Sequence, residues 1–384
     1  MFPQLDVTET TYLARLIVSI LGVVVFFSLA VWLIRRRQAA QPIEAEPVPT
    51  KLEMMPGAET LLANLNPLTS HERSERHLAL VKTYETWKTE RVLHSEDGRS
   101  RFVRTGVEKS GLRYQLVATT QTQALAILVS VLMAEHDPQA SVQAEALFAA
   151  ALAHPAYQQP DLSSWKFLPD LPRSPRLDPD AHAEAWLVHS MTMATERWSG
   201  INRFNYSEII PERLRALQTY AKTLAPEMLA QVSFSGYLTS RLRVLDASLD
   251  WADLGESREQ FFANFAEPGY FKGEPVFSKL GLSLLQLGFL ALLNHDPLAL
   301  NAIRGSEQEV VEFVEGLLIN QLTGPEFSRL AMLSSIVPAL LALELRELSE
   351  RVWDALIDSQ PDKDDGLGAT LRLLGIALLS GTAI

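Results

Sequence analysis

Side chains able to do chemistry are unevenly spread along this chain. The densest group is Asp178-Pro179-Asp180-Ala181-His182-Ala183-Glu184, where acids alternate with an imidazole that could take or give protons. A two-residue step in a regular helix turns about 200°, so Asp180, His182 and Glu184 do not share a face. A joint metal site is therefore disfavoured, and neither metal nor cofactor is expected. Asp178 or Asp180 is equally suited to capping the helix that follows. A second acidic group, Asp246, Asp250 and Asp253, surrounds Trp251 downstream of Ser235-Gly236-Tyr237 and reads as a solvated helix face. The eight histidines are scattered, with only His182 and His189 at i,i+7, and are expected at the surface or at caps. The sequence contains no cysteine, which excludes disulfides, thiolate metal sites and thiol nucleophiles. Nucleophile-elbow, phosphate-loop, dinucleotide and zinc-hydrolase motifs are missing as well.

The elements that must position such groups follow from composition and periodicity. With 384 residues, 47% of them hydrophobic and 21% charged, the chain is globular and can bury a large core. Its 34 basic against 46 acidic side chains give a net charge of −12, a poor match to a phosphate backbone, so nucleic acid is not an expected partner. Residues 16–34, LIVSILGVVVFFSLAVWLI, carry no charge and would span roughly 28 Å as a helix, one bilayer crossing. Arg35-Arg36-Arg37 follow that run instead of preceding it, which suits an uncleaved anchor better than a signal peptide. By the positive-inside rule the bulk of the chain then leans to the cytosolic side of a cell membrane. The expected organisation is a short segment 1–15, a transmembrane helix 16–34, a basic stop and Pro-rich linker 35–56, and a folded domain 57–384.

Within that domain the apolar spacing is helical. Leu125, Leu128, Val129 and Leu132 form one stripe, and Leu214, Leu217, Tyr220 and Leu224 another. Helices are predicted over 57–68, 75–93, 120–135, 140–153, 180–198, 210–231, 235–248, 257–266, 277–294, 306–320, 325–343, 346–358 and 366–380. Turn-forming residues at 294–297, 323–325 and 365–366 separate the later ones. No fixed-period repeat is present, which weighs against a solenoid.

Three stretches in order carry a family likeness. The first is Trp87-Lys88, then Glu96-Asp97-Gly98-Arg99, then ATTQTQALAILVSVLMAEHDP (118–138). The second is Ser164-Trp165-Lys166-Phe167, then 178–186, then Ala194-Thr195-Glu196-Arg197-Trp198. The third is GLGATLRLLGIALLSG (366–381). Together they resemble glycoside hydrolase family 8, which includes bacterial cellulose-synthesis endoglucanases and chitosanases. The resemblance implies an all-α domain, an (α/α)6 toroid, here preceded by the single transmembrane helix. It also implies hydrolysis of β-1,4-glycosidic bonds with inversion, in which one carboxylic acid protonates the leaving oxygen. A second carboxylate, about 6.5–9.5 Å away, activates water.

Aligned on the family's serine at Thr120, the general-acid position falls on Gln121, and two family glycines fall on Thr122 and Ala124. An amide has no transferable proton at a useful pKa, so the resemblance implies a site that binds and does not cut. The added side chains narrow the approach to the backbone. The family's aspartate motif matches from Asp180, with His182 and Glu184 in its later positions; anchoring on Trp198 instead starts it at His182. Substrate-binding residues implied this way are Trp165, Asp178, His182, Glu184 and Trp251, because aromatic platforms suit pyranose faces and carboxylates suit hydroxyls. Trp186 and Trp198 could stack on sugars too, but each of the four tryptophans is by type more often a core residue, and Trp165, in a Pro-rich loop, is the best binding candidate. The expected function is a membrane-anchored, catalytically impaired protein that binds a β-linked polysaccharide or scaffolds a membrane glycosyltransferase complex for exopolysaccharide synthesis or export. Two alternatives remain: an active hydrolase whose acid is Glu96 or Glu135, and a helical adaptor with no sugar chemistry.

Overall fold

The computed structural model describes residues 71–95, 98–110, 113–169, 175–198, 206–224, 277–294, 297–319 and 329–381. All fall in the compact unit Met54–Ile384. The apolar run 16–34, the linker, the helices expected at 57–68, 235–248 and 257–266, and Trp251 with its aspartates lie outside the described residues. Among the described residues no helix is long and apolar enough to cross a membrane.

The chain enters with α1 (Arg73–Arg91), passes through β1 (Val92–His94), β2 (Arg101–Val103), β3 (Gly106–Ser110) and β4 (Arg113–Thr119), and runs without a break into α2 (Thr120–Leu132). Then come α3 (Ala140–Leu152), β5 (Lys166–Phe167), α4 (Ala181–Arg197) and α5 (Tyr206–Ala221). The remaining elements are α6 (Phe277–Asn294), α7 (Pro297–Gly305), α8 (Glu307–Leu318), α9 (Arg329–Ala342), α10 (Arg346–Asp358) and α11 (Gly366–Ser380).

The helices sort into two layers. In the inner layer neighbours touch in the order α4, α2, α11, α9, α6. The edge of Phe289 on α6 against Trp186 on α4, 5.5 Å between ring centroids, joins the two ends of that series. Inner helices are apolar on all sides: every residue of α2 is buried, and every residue of α11 except Leu367 and Arg372. The three leucines and one valine read as a stripe on α2 are thus part of a helix buried all round. Outer helices keep one apolar face, as α8 does with Val310, Phe313, Val314 and Leu317 and α10 with Leu348, Val352, Trp353 and Leu356. They pack outside their inner partners, α3 on α2, α5 on α4, α7 on α6, and α10 on α9 and α11. Three arginines close helix ends by donating to terminal carbonyls. Arg329 reaches Leu317 and Leu318 of α8, Arg372 reaches Leu356 and Ile357 of α10, and Arg76 reaches Ser380 of α11.

Two expectations need correction. The domain is mostly helical but not all-α, because residues 92–119 form strands: β1 pairs with β2, and β3, β4 and β5 make a three-stranded antiparallel sheet. Val, Phe, Tyr and Thr are concentrated there and Ser110-Gly111 marks the hairpin, but the strands are too short for alternation to stand out. The second correction is α7, where Pro297 was read as a break. Proline serves here as the first helical residue, where its missing N–H costs nothing.

The closest inner packing is between α6 and α9. A Cβ placed on Gly288 would meet the Ala339 nitrogen at 2.6 Å and the Pro338 Cβ at 2.7 Å. Gly288→Ala is expected to lower stability by about 1–3 kcal/mol, read as a lower urea midpoint, although alanine normally favours a helix over glycine.

Candidate functional site

The small sheet builds one wall of the candidate site. β5 pairs with the end of β4, Ala118 opposite Phe167 and Thr119 opposite Lys166. The next backbone step continues this ladder into the start of α2, where the Thr120 N–H donates to the Trp165 carbonyl at 3.1 Å and the Thr120 hydroxyl to that of Ser164 at 2.7 Å. Trp165 in turn donates its N–H to the Asp178 carbonyl at 3.1 Å. The junction of β4 with α2, the loop carrying Trp165 and the approach to α4 are thereby held together. Trp165 remains 43% exposed, with the Lys166 ammonium 5.2 Å from its ring centroid.

Asp180 caps α4, its carboxylate accepting from the N–H groups of His182 at 2.9 Å and Ala183 at 3.3 Å. Asp178 is also exposed. Both carboxylates lie close enough to the Tyr220 hydroxyl to raise its pKa, after the larger effect of burial, and that hydroxyl donates to the Pro179 carbonyl at 3.0 Å.

Inside this rim the side chains form a chain of amide, imidazole and amide. Gln121, 8% exposed, accepts through Oε1 from His182 Nδ1 at 3.2 Å. The other ring nitrogen, Nε2, accepts from the amide nitrogen of Gln286 on α6, which is 1% exposed. A glutamine carbonyl only accepts and its NH2 only donates, so this order requires a neutral imidazole with its proton on Nδ1. Burial drives the same way: it pushes the His182 pKa below the ordinary imidazole value, outweighing the opposing pull of Asp180. Gln286 gave no sign of itself in the sequence, since it sits in the apolar run LSLLQLGFL and meets His182 only in the folded chain.

The other expected site residues divide. Glu184 points away from the rim, fully buried, with Arg213 of α5 at 2.7 Å from Oε2 and the Ser163 N–H at 2.6 Å from Oε1. It is an internal ion pair, not a ligand contact. The Thr122 hydroxyl is 2.8 Å from that of Thr119 and Ala124 is buried, so neither faces solvent. Glu135 follows the far end of α2, roughly 20 Å from Gln121 at 1.5 Å per residue, and pairs with Arg197 at 3.0 Å. Glu96 and Trp251 lie outside the described residues. His189 is buried against Trp186 and is an interior packing group, whereas His154 is half-buried, stacks on Phe167 at 4.2 Å and caps the end of α3 at the Ala150 carbonyl, 2.8 Å away. Among the described residues no three His, Asp or Glu are grouped to hold a metal ion.

Two predictions follow from these environments. Glu184→Ala strands the Arg213 guanidinium in the core and is expected to cost about 3–5 kcal/mol, measured by equilibrium urea denaturation. His182 and His154 both have folded pKa values below the unfolded one, burial being the leading cause. As pH falls through the ordinary imidazole range, near 6.5, the unfolded chain takes up protons that the folded chain refuses. Stability is therefore complete above that range and declines below it until the folded values are reached. Urea midpoints at pH 7.5 and 5.5 should show this loss, and His182→Asn should lessen it.

The sequence matches no protein-family model and no curated protein. The fold, in contrast, matches solved structures over most of its length. A β-1,3-1,4-glucanase from Paenibacillus sp. X4 aligns with TM-score 0.66 at 14% identity, covering 82% of this chain and 94% of the glucanase. A cold-adapted family 8 xylanase aligns at 0.55 and 13% identity, over 84% and 98% of the two chains. Rex8A from Paenibacillus barcinonensis, solved with xylose, aligns at 0.56 and 12%, over 84% and 96%. The chain has the fold of the glycoside hydrolase family 8 enzymes.

Proposed function

We propose that this protein is a glycan-binding relative of the family 8 glycosidases that has lost hydrolysis, tethered to a cell membrane by residues 16–34. In this reading it holds or scaffolds a β-linked polysaccharide, of the cellulose or xylan kind, beside a membrane glycosyltransferase complex for exopolysaccharide synthesis or export. The observation that carries it is the Gln121 side chain: at the position matched to the family's proton donor there is an amide hydrogen-bonded to an Nδ1–H imidazole. General-acid catalysis needs a protonated carboxyl whose pKa has been raised toward the working pH. The two buried carboxylates among the described residues are committed elsewhere. Glu184 faces Arg213, and Asp137 accepts from Lys88 and Tyr84, each at 2.7 Å. Those donors hold Asp137 below the usual carboxylate range in spite of its burial, which is the opposite of what a proton donor requires.

The fold supports the sugar-binding half of the proposal, since solved structures of this fold include xylanases with xylose or substrate bound. The exposed Trp165, whose backbone N–H donates to the Asp178 carbonyl, supplies an aromatic face of the kind suited to pyranose rings. The arginines at 35–37 favour a cytosolic domain.

The purified protein is expected to release no reducing ends from lichenan, xylan, carboxymethyl-cellulose or chitosan, while retaining affinity for one of the soluble oligosaccharides by calorimetry. Measurable hydrolysis overturns the loss of catalysis. Gln121→Glu alone should stay silent, because the His182 Nδ1–H would donate to the new carboxylate and keep it ionised. Alkaline phosphatase fused after Ile384 should be inactive if the domain is cytosolic.

A further inference from the structure

The amide of Gln121 has an unequal environment. Its oxygen accepts from His182, but its nitrogen, with two hydrogens to donate, is buried and has no hydrogen-bond partner among the described residues. Leaving a buried donor unpaired is costly, about 1–3 kcal/mol, and such groups are rare in folded proteins. Turning the amide by 180° would not relieve it. The nitrogen would then confront the Nδ1–H, donor against donor, and the oxygen would lose its bond. The turn requires His182 to move its proton to Nε2 and the Gln286 amide to turn with it and accept that proton through its oxygen, so the orientation of Gln121 is tied to that of Gln286 through the imidazole. Gln286 sits on α6, in the apolar run Leu284, Leu285, Leu287, all 0% exposed, and its side chain is the polar exception among them.

We infer that Gln286 is a positioning residue: through the tautomer of His182 it fixes the Gln121 amide with its oxygen on the imidazole and its NH2 unpaired, a buried donor that an acceptor oxygen of a ligand entering the rim would satisfy. The inference rests on the glycan-binding reading and gives it a chemical selectivity. A glycosidic, ring or hydroxyl oxygen of a sugar satisfies the free NH2, and no proton is transferred. An ammonium or other donor-only group at the same place would leave it unpaired.

The test uses the full-length protein labelled with 15N-histidine, the His182 signals being identified by their loss in His182→Asn. At pH 7.5 the free wild type should show a pyrrole-type Nδ1 and a pyridine-type Nε2. A His182 ring carrying its proton on Nε2, or on both nitrogens, overturns the inference without any variant being needed. Gln286→Leu removes the donor to Nε2, and the signals should move to a tautomer mixture; unchanged signals in a folded variant also overturn it. Xylohexaose affinity should fall about tenfold in Gln286→Leu, the loss of one well-placed hydrogen bond, with the far-ultraviolet circular dichroism unchanged. If wild type shows the Nδ1 proton and Gln286→Leu loses it, yet neither binds xylohexaose or cellohexaose, the positioning role stands and the glycan reading falls.

Discussion

A helix buried on nearly every face can persist in water only if other helices surround it, and α2, α9 and α11 are such helices. α2, with every residue buried, is the clearest case. The requirement explains the two layers: α2, α4, α6, α9 and α11 cover one another laterally, and the outer helices, each with one apolar face, cover what remains. It also restricts where polarity can enter. Buried hydroxyls bond back to helix carbonyls, as Ser334 and Ser335 do to Leu330 and Ala331, or cross to a neighbour, as Ser190 does to the Ala124 carbonyl. A polar chain running between helices, such as Gln121, His182 and Gln286, is the exception in such a core, and it leaves one donor, the Gln121 NH2, unpaired among the described residues.

That chain marks the chemical departure of this molecule from a hydrolytic site. Two amides flanking a neutral imidazole can order hydrogen bonds but cannot supply the proton that a leaving glycosidic oxygen needs. The carboxylates that the fold does bury are neutralised by Arg213 and Lys88 at contact distance, and those at the rim cap a helix or face solvent. Hydrogen-bonding capacity has been kept and proton-donating capacity has not. In the function proposed above, these groups hold a polar, ring-shaped ligand and Trp165 supplies an aromatic face.

Much of the helical framework could be read from residue order. The limits of α6, α10 and α11 follow directly from the apolar period and from Asp365 and Gly381, the first capping α11 through the Gly368 N–H and the second ending it in a left-handed turn at φ 60°. The strands between 92 and 119 were not legible, because strands of three to seven residues joined directly to helices show too few alternations to compete with the helical signal on either side. Their consequence for the site is large, since β5 and β4 set the Trp165 loop against the first turn of α2.

Residue order by itself determined which segments are helical and that an amide stands at the start of α2. These are local properties, fixed by side-chain period, capping groups and composition within one turn or one element. Tertiary structure alone decided that Glu184 is spent on Arg213, that Gln286 reaches His182 from a helix about a hundred residues away, and that the two together orient Gln121. Such pairings depend on helix rotation and on which helices adjoin, and those are settled only when the apolar faces pack.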